Sequence, residues 1–418
     1  MKVRFLLKVT AMPALLIGML ASCSNDGQND ENNEWKEIEL TPQSRAAADN
    51  LNNFYMEFTK DVAEYVDKES ESKNFVISPL SASFVLAMMG NAVEGDLKEE
   101  IIKYLGTEDL DGMNELASTL LNTLPKADKK TSMTLANSVW VNNSFKLNTD
   151  YSSLMEKSYD SEIFYFKGSE PRGVANDINR WCASKTDNKI DDFVNENDID
   201  FLLVMMLNAM NFKSEWAYEG LFDAKNTDNK PFYGLSGETS VKTMTSKQTG
   251  MNCYFDDDFI YLSLPFGNAS FRFEVVIPTD NMSIDALLSV LVHRIKEVRE
   301  STQWYTKVTL NLPKFSVTKK YKLDEALIAA LPSLENENVL SLFTKEQTGL
   351  ISFRQNISIE VDEKGAKAVV VSSGEGWLTS TGPDPSEPIE IDINRPFMFF
   401  ITERSTGACV VSGRITDL

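Results

Sequence analysis

The sequence predicts an α+β fold, because helix-forming and strand-forming segments lie in separate parts of the chain. Helical periodicity dominates as far as about residue 131, and long strand-like segments with few helices follow. A doubly wound parallel sheet would instead alternate strands and helices throughout. With 418 residues, 42% of them hydrophobic, the chain is long enough to bury a large core.

The first two helices are predicted from the spacing of apolar residues and from a proline. Leu51, Phe54 and Phe58 recur at steps of three and four residues, which places them on one face of a helix. A proline directly follows Ser78, and proline is tolerated in the first turn of a helix. We therefore predict that a second helix begins at residues 78–81.

Apolar or alternating segments predict the strands. The run at residues 201–212 is apolar almost throughout, which is typical of a central strand covered on both faces. The predicted strands are residues 135–141, 201–212, 261–265, 271–278 and 307–313.

The formal net charge of −21 argues against a nucleic-acid partner, because phosphate binding needs clustered Lys and Arg. The densest basic stretch, residues 126–130, is interrupted by Ala127 and Asp128. We expect a solvated face there and no binding of nucleic acid.

Residues 1–22 predict a lipoprotein signal peptide. Basic residues precede an apolar stretch that is too short to span a bilayer, and the stretch ends in Leu20-Ala21-Ser22-Cys23. This ending resembles the lipobox of bacterial lipoproteins, which implies that Cys23 is the lipidation site. An ordinary secretion signal with an incidental cysteine is the alternative.

The polar and acidic stretch after Cys23 predicts a flexible tether over residues 23–44, so the folded domain is expected over residues 45–418. Acidic residues after a lipidated cysteine resemble those of outer-membrane lipoproteins. The resemblance implies anchoring in the outer membrane, surface-exposed or periplasm-facing, with the extracellular side favoured. The lipid would be the only contact with the membrane.

Residues suited to catalysis or metal binding are few. His293, the single histidine, falls on the polar side of a predicted helix at residues 286–298. Cys182, Cys253 and Cys409 are scattered and odd in number, which favours single buried thiols over a disulfide framework or a zinc site. The sequence contains no nucleophile-elbow, zinc-protease or nucleotide-binding motif. We therefore expect no catalytic activity, no metal and no cofactor.

Five segments, in order along the chain, resemble motifs of the serpin family over about residues 45–418. They are residues 74–101, which begin NFVISPLS; residues 178–194, which begin INRW; residues 207–216, LNAMNFKSEW; residues 361–368, VDEKGAKA; and residues 394–415, which begin NRPFMFF.

The resemblance implies three β-sheets, about nine helices and an exposed reactive-centre loop, near residues 363–388, that can insert into a sheet. It implies a suicide-substrate inhibitor of serine and also cysteine endopeptidases, because these enzymes form an acyl intermediate that can be trapped. The implied partners are such proteases, held in a covalent complex by a monomeric inhibitor. A non-inhibitory binding protein with the serpin fold is the alternative.

The start of the loop would have to become a central strand, so it should lack proline and bury only small, uncharged side chains. Alternate residues meet this requirement, and the first proline of the loop is Pro383. We predict that the inward-facing residues are Ala366, Ala368, Val370, Ser372 and Gly374. By resemblance, Glu363 and Gly365 complete this hinge with Ala366, Ala368, Val370 and Ser372.

Counting along the family pattern from Glu363 places the scissile bond between Thr379 and Ser380. The loop is longer than in common family members, which keeps cleavage after Trp377 or Leu378 open.

The resemblance also implies a polar cluster under the main sheet, the shutter, formed by Ser78, Ser81, Asn208 and Gln355. Gln355 stands where the family often has histidine. Its amide can still donate and accept hydrogen bonds, so we expect the cluster to persist with altered hydrogen bonds.

Overall fold

The computed structural model describes residues 33–188, 192–200, 202–335, 350–366 and 388–418. Eight α-helices fall within these ranges: α1 (Pro42–Glu69), α2 (Pro79–Gly90), α3 (Asp96–Leu105), α4 (Asp111–Thr123), α5 (Thr149–Tyr159), α6 (Pro171–Lys185), α7 (Ile284–Glu300) and α8 (Leu323–Ile328). None of the described helices is long and apolar enough to cross a membrane.

The strands are long from β2 onward. In chain order they are β1 (Phe75–Ile77), β2 (Thr131–Asn142), β3 (Ser161–Phe166), β4 (Leu202–Glu215), β5 (Phe222–Gly234), β6 (Gly237–Ser246), β7 (Thr249–Phe255), β8 (Phe259–Pro265), β9 (Phe271–Pro278), β10 (Gln303–Pro313), β11 (Phe315–Lys322), β12 (Leu350–Asp362), β13 (Gly365–Ala366), β14 (Ile389–Asp392), β15 (Phe397–Glu403) and β16 (Cys409–Ile415).

The predicted helices and strands are confirmed. Ser78 caps α2, and its side chain accepts a hydrogen bond from the Ser81 backbone N–H. The predicted face of α1 is buried, with Leu51 and Phe58 fully excluded from solvent. β4 is buried along most of its length, as a central strand should be.

The folded chain begins earlier than the expected boundary at residue 45. Thr41 caps α1 through a hydrogen bond from the Ser44 N–H, so the last residues assigned to the tether are helical. The guanidinium of Arg404 stacks 4.1 Å from the centre of the Trp35 ring. The compact unit therefore runs from Glu34 to Leu418.

A six-stranded sheet, which we call the main sheet, has the strand order β11-β12-β13-β4-β2-β3. One face packs on the large core with α1 and α2, and the other carries a smaller core beneath α6. That second core contains Ile178 and Trp181 of α6 with Met205 and Leu207 of β4. The main sheet is thus covered on both faces.

The second sheet has ten strands, with β1-β16-β15-β9-β8-β7-β10-β6-β5 as its path and β14 beside β10. The family pattern implied three sheets and about nine helices, whereas the described residues form two hydrogen-bonded sheets and eight α-helices. The second sheet is continuous because β10 pairs with β7 along one part of its length and with β6 along another. Gln303 to Val308 pair with β7, and Asn311 to Pro313 pair with β6.

Candidate functional site

The main sheet is forked between β12 and β4. At one end these strands pair in parallel, from Leu350 opposite Leu202 to Arg354 opposite Leu207. Within their described residues this direct pairing stops there. At the other end β13 lies between the two strands and bonds to both. At this end of the main sheet, β12 and β4 are therefore separated by β13.

Gly365 and Ala366, two of the predicted hinge residues, form β13. Ala366 lies opposite Val361 on one side and Ser214 on the other, and only 2% of its surface is exposed. Gly365 has a φ of +133°, and a Cβ atom there would lie 2.1 Å from the Ser214 carbonyl oxygen. Only glycine fits this backbone position.

Glu363 is fastened on the same side of the fork. Its carboxylate accepts hydrogen bonds from Lys314 Nζ at 2.7 Å and from Thr227 Oγ1 at 2.8 Å. Partial burial alone would raise the pKa of Glu363, but the hydrogen bond from Lys314 and the donors beside it outweigh burial and lower the pKa. The charged form of Glu363 is therefore the one held at the hinge.

Trp216 holds the other side of the turn that leads into β13. Its Nε1 donates to the Asp362 carbonyl at 3.1 Å, and its backbone N–H donates to the Lys364 carbonyl at 3.1 Å. The indole is buried and stacks on Phe266. Sequence reasoning did not select Trp216, Lys314 or Thr227 as site residues, although Trp216 ends the segment LNAMNFKSEW that carried the family resemblance.

Three of the four predicted shutter residues meet under the fork. The Gln355 amide accepts from the Ser78 N–H at 2.8 Å and donates to the Ser78 carbonyl at 2.9 Å. The Ser78 hydroxyl donates to Ser81 Oγ at 2.9 Å. This closes a hydrogen-bonded bridge from β12 to the start of α2.

Asn208 takes a different position in the cluster. Its Nδ2 donates to Asn137 Oδ1 at 2.8 Å, and its Oδ1 has no hydrogen-bond partner among the described residues. Asn208 nevertheless borders a cavity of about 10 Å³ together with Ser81 and Gln355. The structure therefore brings Asn208 beside the predicted cluster without a direct bond to it.

The remaining predicted site residues lie outside the described ranges. They are the hinge residues Ala368, Val370 and Ser372, the reactive-bond residues Trp377, Leu378, Thr379 and Ser380, and the lipidation residue Cys23.

The residues considered for catalysis are one exposed histidine and three buried thiols. His293 is exposed on α7. Burial raises the pKa of the thiols of Cys182 and Cys253 to about 12, and it raises that of Cys409 as well, so all three stay protonated near neutral pH. In the part of the chain that the structure describes, no group of acidic, histidine or cysteine side chains could hold a metal ion.

Comparisons with known proteins agree with this geometry. The profile of the family described as Serpin (serine protease inhibitor) matches residues 52–418. Iripin-2 of Ixodes ricinus is 27% identical over 363 residues, a match that covers 83% of this chain and 88% of Iripin-2.

Two solved structures share the fold. The thermophilic serpin Tengpin in its native state superposes with a TM-score of 0.76 at 24% identity, covering 92% of this chain and 97% of Tengpin. Thyroxine-binding globulin in complex with thyroxine gives a TM-score of 0.74 at 19% identity, covering 88% and 98%. The profile match, which spans most of the chain, together with the forked main sheet and its fastened hinge, shows that the chain belongs to the serpin family.

Proposed function

We propose that this serpin is a suicide-substrate inhibitor of serine and cysteine endopeptidases. The observation that carries the proposal is the position of β13, whose two residues already lie between β12 and β4 at the open end of the fork. The residues that would follow Ala366 into the gap are small and uncharged on alternate positions. The hinge therefore leads directly into the space that a longer strand would fill.

The proposed chemistry belongs to the protease. Its serine or cysteine nucleophile attacks the carbonyl of the scissile peptide bond, an acyl-enzyme bond forms, and the new amino terminus leaves with a proton. Thr379–Ser380 is the proposed scissile bond, with cleavage after Trp377 or Leu378 as the alternatives. The hinge side of the cut loop then inserts between β12 and β4 and carries the acylated protease with it.

The energy of insertion is large enough for this task. Each new backbone hydrogen bond contributes about 1 kcal/mol net, so a strand of about a dozen residues contributes on the order of 10 kcal/mol. A typical protease domain is stable by about 5–15 kcal/mol, so insertion can deform its active site before the ester or thioester is hydrolysed.

The test is to mix the purified protein with elastase-, chymotrypsin- and papain-like enzymes and separate the products in SDS. We expect a complex near the summed mass that survives denaturation, and mass spectrometry of the released C-terminal peptide identifies the scissile bond. Clean cleavage by every enzyme without any stable complex contradicts the proposal.

A carrier function without inhibition is the second candidate, and one cavity favours it. A space of about 590 Å³ lies between β3 and α6 and is lined by aromatic side chains that include Trp140, Phe164 and Trp181. This volume is within the range of small-molecule sites. Loop cleavage without a rise in melting temperature, together with binding of an aromatic ligand, would favour this candidate.

We also propose that the protein is anchored to the outer membrane through lipid on Cys23, on the extracellular side, and that it acts there as a monomer. The apolar stretch ending in Leu20-Ala21-Ser22-Cys23 supports the anchor. Metabolic labelling with a fatty acid should mark the parent but not a Cys23→Ser variant. Protease accessibility on whole cells distinguishes the outer surface from the periplasmic side.

A further inference from the structure

An ion pair spans the main sheet at the branch point of the fork. Arg354 Nη2 lies 2.6 Å from Asp198 Oδ1, and the two side chains are only 10% and 7% exposed. Arg354 belongs to β12 and is its last residue paired directly with β4. Asp198 belongs to the segment that connects α6 to β4. The pair therefore joins β12 to the segment between α6 and β4, which covers one face of the main sheet.

Arg354 and Gln355 point to opposite faces of the main sheet, because neighbouring residues of a strand alternate. Gln355 bonds to Ser78 at the start of α2, on the face toward the large core. Arg354 reaches Asp198 on the face that α6 covers. At residues 354 and 355, β12 is therefore bonded to the layers on both faces of the main sheet.

The segment that carries Asp198 is rigidly attached to α6. Asn179 of α6 accepts hydrogen bonds from the backbone N–H groups of Phe193 and Val194 and donates to the Val194 carbonyl. Asp198 Oδ2 accepts from the Asn195 N–H in a capping box. This hydrogen bond orients the carboxylate independently of Arg354. A second, exposed ion pair joins Lys320 of β11 to Asp192 of the same segment.

Opening the fork further conflicts with this attachment. Neighbouring strands lie about 4.8 Å apart, so a new strand between β4 and β12 moves Arg354 away from the layer over β4 by about that distance. The contact of 2.6 Å between Arg354 and Asp198 cannot survive such a displacement unless the whole connecting segment follows. The ion pair must therefore break, or α6 must shift, before a strand can pass Arg354.

We propose that the ion pair between Arg354 and Asp198 is a latch. Breaking it sets the rate at which the directly paired ends of β4 and β12 separate, and so controls how readily the main sheet accepts the loop. This inference rests on the proposed inhibitory function. Fast insertion favours a trapped protease, whereas slow insertion gives the acyl-enzyme time to hydrolyse. The latch therefore also tunes the balance between inhibition and simple cleavage.

The experiment measures strand uptake without any protease. A synthetic peptide with the sequence of residues 366–378 is added in excess to the whole protein, and its annealing is followed on native gels. The variants are Arg354→Met, Asp198→Asn, the double variant and Arg354→Lys. Lys167→Gln is the matched control, because its ion pair with Glu170 lies in the turn from β3 to α6, two strands away from β4 and not beside the gap.

We expect each single variant to anneal the peptide on the order of tenfold faster than the parent, which corresponds to about 1.4 kcal/mol in the barrier. The double variant should be no faster than the faster single variant, since both changes break the same contact. Arg354→Lys should be intermediate, and Lys167→Gln should match the parent. A general loss of stability would not produce this pattern, because it would add in the double variant and would not be rescued by lysine.

Two failures are distinguishable. If the parent anneals the peptide and the single variants anneal it at the same rate, the latch is refuted while the proposed function stands. If the parent neither anneals the peptide nor gains thermal stability after loop cleavage, the proposed function fails and the latch falls with it. Should Arg354→Met not fold, Asp198→Asn and Arg354→Lys provide the same comparison.

Discussion

Lys314 Nζ lies 2.7 Å from Glu363 Oε2, and this contact fastens the start of the proposed reactive-centre loop to the link between β10 and β11. The pair is partly shielded, with 15% of the Glu363 side chain exposed. The hinge is thus held by a charged contact at the place where Gly365 and Ala366 turn into the sheet.

The stabilisation provided by the Lys314–Glu363 contact should decrease at acidic pH. The pKa of Glu363 in the folded protein lies below its ordinary value of 4.5, so its contribution is fully present above that pH and is lost as pH falls through the lower folded-state pKa. Lys314→Met should cost about 1 kcal/mol at pH 7 and progressively less below pH 4.5. Melting temperatures across this pH range provide the check.

Lys225→Met, at an exposed position of β5, is the control for Lys314→Met and should match the parent at every pH. A deficit for Lys314→Met that stays constant down to strongly acidic pH would mean that Glu363 is not the partner responsible.

Ala366→Arg should convert the inhibitor into a substrate. The Ala366 side chain is buried between β12 and β4, and a guanidinium would enter that space without a partner. We expect cleavage of the loop to continue while the SDS-stable complex disappears. Lys364→Arg, which alters an exposed side chain two residues earlier, should inhibit like the parent. Complex formation by Ala366→Arg at the level of the parent would show that Ala366 does not stay on the buried face.

Gln355→Glu should weaken the hydrogen-bonded bridge from β12 to α2 in a pH-dependent way. A carboxylate can accept from the Ser78 N–H but cannot donate to the Ser78 carbonyl, and burial of the charge adds to the cost. We expect a loss of about 1–3 kcal/mol at pH 7 that shrinks as the carboxyl protonates in acid. Urea unfolding at several pH values measures this loss. Gln303→Glu, on an exposed residue of β10, should show no such recovery.

Glu274→Gln should be strongly destabilising, because it removes a buried carboxylate and leaves the partly buried guanidinium of Arg299 without its counter-ion. Glu274 is 1% exposed and accepts from Arg299 at 2.7 Å and from Thr402 Oγ1 at 2.7 Å. We expect a loss of about 3–5 kcal/mol, read as a lower melting temperature. Asp280→Asn removes the exposed partner of Arg395 and should cost less than about 1 kcal/mol. Similar losses for both variants would contradict the role assigned to burial.

Much of the fold could be predicted because its signals are local. The apolar spacing around Leu51 and Phe58 requires a helix with one buried face, and the continuous run in β4 requires a strand covered on both faces. Ser78 and the following proline mark the start of α2 through their own backbone chemistry. These features depend on residues close together in the chain.

The contacts at the fork could not be predicted in the same way, because they join residues far apart in sequence. Nothing near Glu363 indicates that Lys314 and Thr227 will reach it, and nothing near Asp198 indicates Arg354. The continuity of the ten-stranded second sheet also depends on β10 changing partners along its length. Each of these contacts arises only when distant strands are brought side by side.

The sequence by itself determined the α+β class and the family, since periodicity and motif order are properties of the chain. Only the tertiary structure decided where the main sheet is open, which cation holds Glu363 and which ion pair stands at the branch point. The physical reason is that hydrogen bonds and ion pairs depend on the distance between groups in space. That distance is set by packing of the whole domain rather than by the neighbouring residues.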